Sequence, residues 1–148
     1  GAGAAFDTEG LGPALGELQR WFADAFLVLD AMTEGDRASS PAQLWPHHFD
    51  VGSVLTLARD EDGAATHTLG IGISPGQDEI DEPYVYVNVW PEPGGSEHAV
   101  LNFGEWHRDQ WFGALLRGSK IVAVPVGQQR GTVETFLADA MAALRKMS

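Results

Sequence analysis

Cysteine is absent from all 148 residues. Its absence excludes a thiol nucleophile, a cysteine-held zinc or iron–sulfur centre and any disulfide framework. Basic side chains are scarce: 9 Lys and Arg face 21 Asp and Glu, for a formal net charge of −12. Proteins hold nucleic acid by neutralising phosphates with basic groups. The nine here are spread along the chain without a cluster, so no nucleic-acid or membrane partner is expected. No apolar run approaches the roughly 20 residues of a membrane-spanning helix. Residues 1–5 have no basic stretch ahead of their small side chains and do not read as a secretory signal. With cysteine absent as well, the expected location is the cytoplasm.

Nucleotide and nucleophile motifs are missing too. There is no Gly-x-x-x-x-Gly-Lys, and Gly70-Ile71-Gly72 falls inside a strand pattern rather than after one. Ser53 lacks the Gly-x-Ser-x-Gly elbow. Ser96-Glu97-His98 are sequence neighbours in a glycine-rich loop, an arrangement that rarely gives catalytic geometry. The acidic run Asp78-Glu79-Ile80-Asp81-Glu82 lacks calcium-loop spacing and reads as a solvated connection.

What is present is an ordinary globular composition, 44% hydrophobic and 20% charged. A chain of this length buries roughly 68–70% of its unfolded surface as one domain, so the whole of 1–148 is read as one unit. After a lead-in up to residue 10, Leu15, Leu18, Phe22, Ala25, Phe26 and Leu29 recur at steps of three and four, which predicts a helix over 13–31. Pro13 suits its first turn. Residues 33–46 read as a loop. From His48 to Leu57 the period becomes two, the mark of a strand. Asp60-Glu61-Asp62-Gly63 is a hairpin turn. Further strands follow through Thr68–Ile73 and Tyr84–Trp90, with breaks at Ser74-Pro75-Gly76 and at Pro91-Glu92-Pro93-Gly94-Gly95. Glu105–His107 and Trp111–Leu116 are ambiguous, and Lys120–Val126 reads as a short apolar strand. Thr132 is the expected N-cap of a last helix over 132–146. Its stripe is Val133, Phe136, Leu137, Ala140, Met141 and Leu144. The expected fold is α+β: a mainly antiparallel sheet with the N-terminal and C-terminal helices packed on one face.

Alternation sorts the strand residues by face. One set, Phe49, Val51, Leu55, Leu57, Leu69, Ile71, Ile73, Val85, Val87 and Val89, is an aliphatic core surface. The other combines His48, Asp50, Gly52, Thr68, Gly70, Gly72, Tyr84, Tyr86, Asn88 and Trp90. Two readings of that second face are open. In one, aromatic rings lie across the glycines of neighbouring strands. In the other, the glycines leave a hollow walled by rings and polar groups, as in small-molecule sites.

His48 and Asp50 are the catalytic candidates, with His48 as a base near working pH and Asp50 orienting it. The ligand-binding candidates are Trp45, His47, Tyr84, Tyr86, Asn88, Trp90 and His107. No metal site is assigned. His48 and Asp50 would need a third ligand from Glu82, Glu92, His67, His98, Glu105 or His107, and none has the spacing of a zinc motif. A His48–Asp50 hydrogen bond at a strand end is the simpler expectation. No cofactor is indicated.

Ser40-Pro41, Trp45-Pro46-His47-His48-Phe49-Asp50, Gly72-Ile73-Ser74-Pro75-Gly76, Pro83-Tyr84-Val85-Tyr86 and Trp90-Pro91-Glu92-Pro93 occur in that order. Over residues 40–93 they resemble a domain-of-unknown-function family of bacterial proteins. The resemblance implies that these blocks form one unit, and it implies no catalytic role. The leading expectation is a small-molecule-binding domain with its site on the His/Asp/Tyr/Trp face. The alternatives are a small hydrolase or lyase using His48 and Asp50, metal-assisted or not, and a homo-oligomeric structural protein, such as a homodimer, that uses this face as its interface.

Overall fold

The apolar stripe that follows the lead-in forms the 23-residue helix α1 (Leu11–Thr33), with Pro13 in its first turn. A computed structural model describes residues 10–77, 80–94 and 99–147. The lead-in up to residue 9, the acidic pair Asp78 and Glu79, and Ser96, Glu97 and His98 lie outside the described residues. The described residues continue through β1 (Gln43–Trp45), β2 (Asp50–Arg59), β3 (Ala65–Ser74), β4 (Tyr84–Trp90), β5 (Glu105–His107) and β6 (Gly113–Arg117). Two helices, α2 (Gly118–Val122) and α3 (Val126–Met147), complete them.

The six strands form one sheet in the order β1-β2-β3-β4-β6-β5, and every neighbouring pair is antiparallel. The β2–β3 hairpin turns at Asp60–Gly63. There Asp60 Oδ1 accepts from Ala64 N, 2.8 Å, and Gly63 takes the left-handed φ of 84° that favours glycine. The aliphatic face forms as the alternation predicts. Val51, Leu55, Leu69, Ile71, Val85, Val87 and Val89 are buried together with Ala25 and Leu29 of α1 and Val133, Phe136, Leu137, Ala140 and Leu144 of α3. Both long helices therefore pack on one sheet face. Each fully buried Leu, Val or Phe contributes about 1.5–3 kcal/mol relative to exposure.

Several local expectations are corrected. Lys120–Val126 is not a strand. Gly113–Arg117 takes the place beside β4, and residues 118–122 turn into α2; a short apolar run reads equally as strand or helix. Thr132 is not an N-cap. The helix begins at Val126, and the Thr132 hydroxyl donates back to the Gln128 carbonyl, 3.0 Å. The loop over 33–46 contains β1, and its earlier part runs along the outer edge of β2. Ser40 N donates to Val54 O, 2.8 Å, and Thr56 N to Ala38 O, 3.0 Å. These bonds satisfy edge groups that would otherwise be unpaired. Leu15, assigned to the α1 stripe, stays 58% exposed.

Candidate functional site

The polar face is organised by the β1–β2 turn. Trp45 and Asp50 are opposed across the pair, and residues 46–49 form the turn between them. The Trp45 carbonyl accepts from Phe49 N, 2.7 Å, and His48 N, 3.2 Å. Phe49 closes the turn with a left-handed φ of 55°, uncommon for a bulky residue. Its ring packs edge-on against Phe22 of α1, 5.2 Å between centroids. Phe49 is thus a turn residue, 46% exposed, not a strand residue of the core surface. His48 also lies in the turn, before β2 begins, so strand alternation is not what relates it to Asp50.

Tyr86 reaches Asp50 from the far side of β3. Gly52 opposes Gly72, and Gly72 opposes Tyr86, so two glycines lie side by side ahead of the tyrosine. The Tyr86 ring lies over Gly72: a Cβ there would fall 2.5 Å from Tyr86 Cζ. Its hydroxyl then donates to Asp50 Oδ2 across 36 residues of sequence. Asn88 lies over Gly70 in the same way, and a Cβ there would fall 3.2 Å from Asn88 Cγ. Side chains crossing glycines is one of the two readings given above, so Gly70 and Gly72 leave no hollow of their own.

A cavity of about 220 Å³ remains beside these groups, lined by His48, Asp50, Gln77, Tyr84, Tyr86, Asn88 and Trp111. Tyr84 and Tyr86 sit 6.0 Å apart by ring centroid, and Tyr86 and Trp111 also 6.0 Å. Asp50 is only 5% exposed. While Oδ2 accepts the hydrogen bond from Tyr86, Oδ1 is buried and makes no hydrogen bond among the described residues. Burial, followed by the Asp50 charge and the bond to it, holds the Tyr86 phenol far above its ordinary range. Tyr86 is therefore a fixed donor at working pH.

Five of the expected residues thus meet at one cavity: His48, Asp50, Tyr84, Tyr86 and Asn88. Trp45, the last residue of β1, and His47, in the turn, are not among the lining residues; their rings lie 6.2 Å apart. Trp90 does not line it; it stands opposite Thr68 and is 61% exposed. His107 lies behind Trp111, 4.2 Å between centroids, and its Nε2 donates to the Asp109 carbonyl, 2.6 Å. The expected His48–Asp50 hydrogen bond is not present among the described residues; Tyr86 occupies that carboxylate. Gln77 and Trp111 were not foreseen. Trp111 carried a signal, since Gly113, Leu115 and Arg117 face Asn88, Tyr86 and Tyr84 and Trp111 shares their odd parity. Gln77 carried none.

The remaining polar candidates are engaged elsewhere. Arg117 bonds Glu105, 2.9 Å, and lies 3.7 Å from Glu82. Glu82 accepts from the Ser119 backbone N–H, 2.7 Å, which holds its carboxyl below the ordinary range. His67 lines a separate cavity with Asp36 and Arg145, and Glu92 is exposed. Ser53 is buried and donates to the Ser40 carbonyl, 2.6 Å. Among the described residues no three His, Asp or Glu side chains gather to hold a metal ion. No described helix is long and apolar enough to cross a membrane.

Comparison with known proteins returned no matching protein-family model, no matching curated protein and no matching solved structure. The resemblance of residues 40–93 therefore rests on its motifs alone.

Proposed function

We propose that this chain is a small-molecule-binding domain whose site is the cavity between Asp50, Tyr84, Tyr86 and Trp111. One observation carries the reading: Asp50 is almost fully buried on the cavity wall, and one of its oxygens makes no hydrogen bond. A buried polar atom without a partner costs about 1–3 kcal/mol. Such groups are rare, and the Tyr86 phenol bonded to Asp50 is a perturbed ionisable group of the kind that clusters at functional sites. The rings around it supply the apolar surface typical of ligand pockets.

The cavity favours binding over the other two readings. Asp50 serves Tyr86 rather than His48, so the imidazole lacks the partner that would orient it as a base. Tyr86 and Asn88 lie over glycines of their own sheet rather than standing free for a second copy. The lack of cysteine and the charge of −12 support a cytoplasmic setting without a nucleic-acid partner.

A screen of small fragments by ¹H–¹⁵N correlation spectroscopy tests this. The indole N–H signals of Trp45 and Trp111 should move together with the backbone signals of Asp50 and Gln77. Hits that map elsewhere, with none at this cavity, would overturn the assignment.

A further inference from the structure

We infer that the ligand of this cavity is a small organic cation bearing N–H donors, an alkylammonium or a guanidinium; the inference rests on the reading of the cavity as a ligand site. Asp50 brings a carboxylate into the wall, and no Lys or Arg stands among the lining residues to answer it. None of the ion pairs of the described residues includes Asp50. The one bond it accepts among the described residues comes from the Tyr86 phenol, which satisfies Oδ2 and leaves Oδ1 without a partner. A buried carboxylate in this state is best completed by a cation that also donates a hydrogen bond.

The surrounding surface suits the same chemistry. Tyr84, Tyr86 and Trp111 form a chain of rings at successive centroid separations of 6.0 Å. Electron-rich rings attract cations, Trp most strongly. Asn88 and Gln77 line the cavity as well, and a side-chain amide has an oxygen that can accept an N–H group. An ammonium or guanidinium has donors for these acceptors and for Asp50 Oδ1, whereas a quaternary ammonium has none. Anions are disfavoured twice, by the buried carboxylate and by the molecule's charge of −12. The volume, about 220 Å³, lies below the roughly 300–1,000 Å³ of ordinary ligand pockets. It limits the ligand to a small head group.

The test is a titration of the intact chain, followed at the Trp45 and Trp111 indole signals. The probes are propylammonium and methylguanidinium chlorides, their neutral counterparts propanol and N-methylurea, and tetramethylammonium and potassium chlorides as charge controls. The N–H-bearing cations should bind at least tenfold more tightly than the neutral counterparts and the two controls. Asp50→Asn, which keeps the shape and the bond to Tyr86, should weaken them at least tenfold. Asp62→Asn, an equal change in net charge on an exposed turn, should not. Should Asp50→Asn fail to fold, the cation-to-neutral ratio in the unaltered chain still decides. Equal binding of the neutral counterparts, or equal loss in both variants, would overturn the cation assignment and leave the cavity as a ligand site. No response to any cation, alongside fragment hits at the same signals, would do the same. No response to either probe set would overturn both readings.

Discussion

Tyr86 and Asp50 define the chemistry of the site at the scale of single residues. The phenol's folded pKa lies above the ordinary 10.0, so the neutral form is the one that folding favours. Its contribution to stability is fully present below about pH 10 and is lost as pH rises towards the folded value. In a Tyr84→Phe variant, where Tyr86 is the single tyrosine, ultraviolet titration should show no phenolate at pH 10–11 until the chain unfolds. Ionisation near pH 10 with the fold intact would contradict the buried donor. His48 differs in being exposed on its turn. His48→Ala should change unfolding free energy by no more than about 0.5 kcal/mol, yet abolish the melting-temperature rise produced by a cavity ligand. A loss of about 1–3 kcal/mol, the cost of leaving a buried polar group without its partner, with no ligand effect in the unaltered chain, would make His48 a structural residue.

At the scale of elements, β3 is the track on which the site is laid. Gly72 has room for no side chain because Tyr86 lies over it. Gly72→Ala should therefore cost about 1–3 kcal/mol, as overpacking does, and should break the bond between Tyr86 and Asp50. Gly131 is the matched control: it lies inside α3, and an added Cβ meets nothing within 4 Å. Gly131→Ala should leave stability unchanged or raise it by about 0.5–1 kcal/mol. Urea unfolding of the two variants separates a crowded strand glycine from a free helical one. Similar effects at the two positions would refute the packing of Tyr86 over β3. Elements also differed in how legible they were. The long helices and β2 to β4 declare themselves by period, because each has one apolar face to bury. β1 and β5, at three residues each, are too short to show a period. α2 hides in an apolar run that fits either state.

The whole molecule is strongly acidic, and its charge acts over distances longer than any contact. Duplex DNA should show no binding in a gel-shift assay at physiological salt, since phosphates meet a net charge of −12. A shift that weakens with added salt would reveal a basic surface that the composition does not supply. The same field raises the local concentration of small cations, which is the direction the cavity's own carboxylate requires.

From Asp50 onward the sequence by itself determined which strand residues share a sheet face, and it showed that the stripes of the two long helices cover the aliphatic one, because side-chain period follows directly from backbone geometry. At His48 and Phe49, which the turn takes out of the strand, the same rule failed. The sequence also brought His48, Asp50, Tyr84, Tyr86 and Asn88 into view as a polar and aromatic set. Register, strand order and turn path lay beyond it, since period fixes a face but not a partner. Only the pairing of Gly52, Gly72 and Tyr86 along one row lets a phenol reach Asp50 across β3. Only the insertion of β6 between β4 and β5 carries Trp111 to the cavity and leaves His107 behind it. The turn after Trp45, closed by the left-handed Phe49, presents His48 to the cavity without joining it to Asp50.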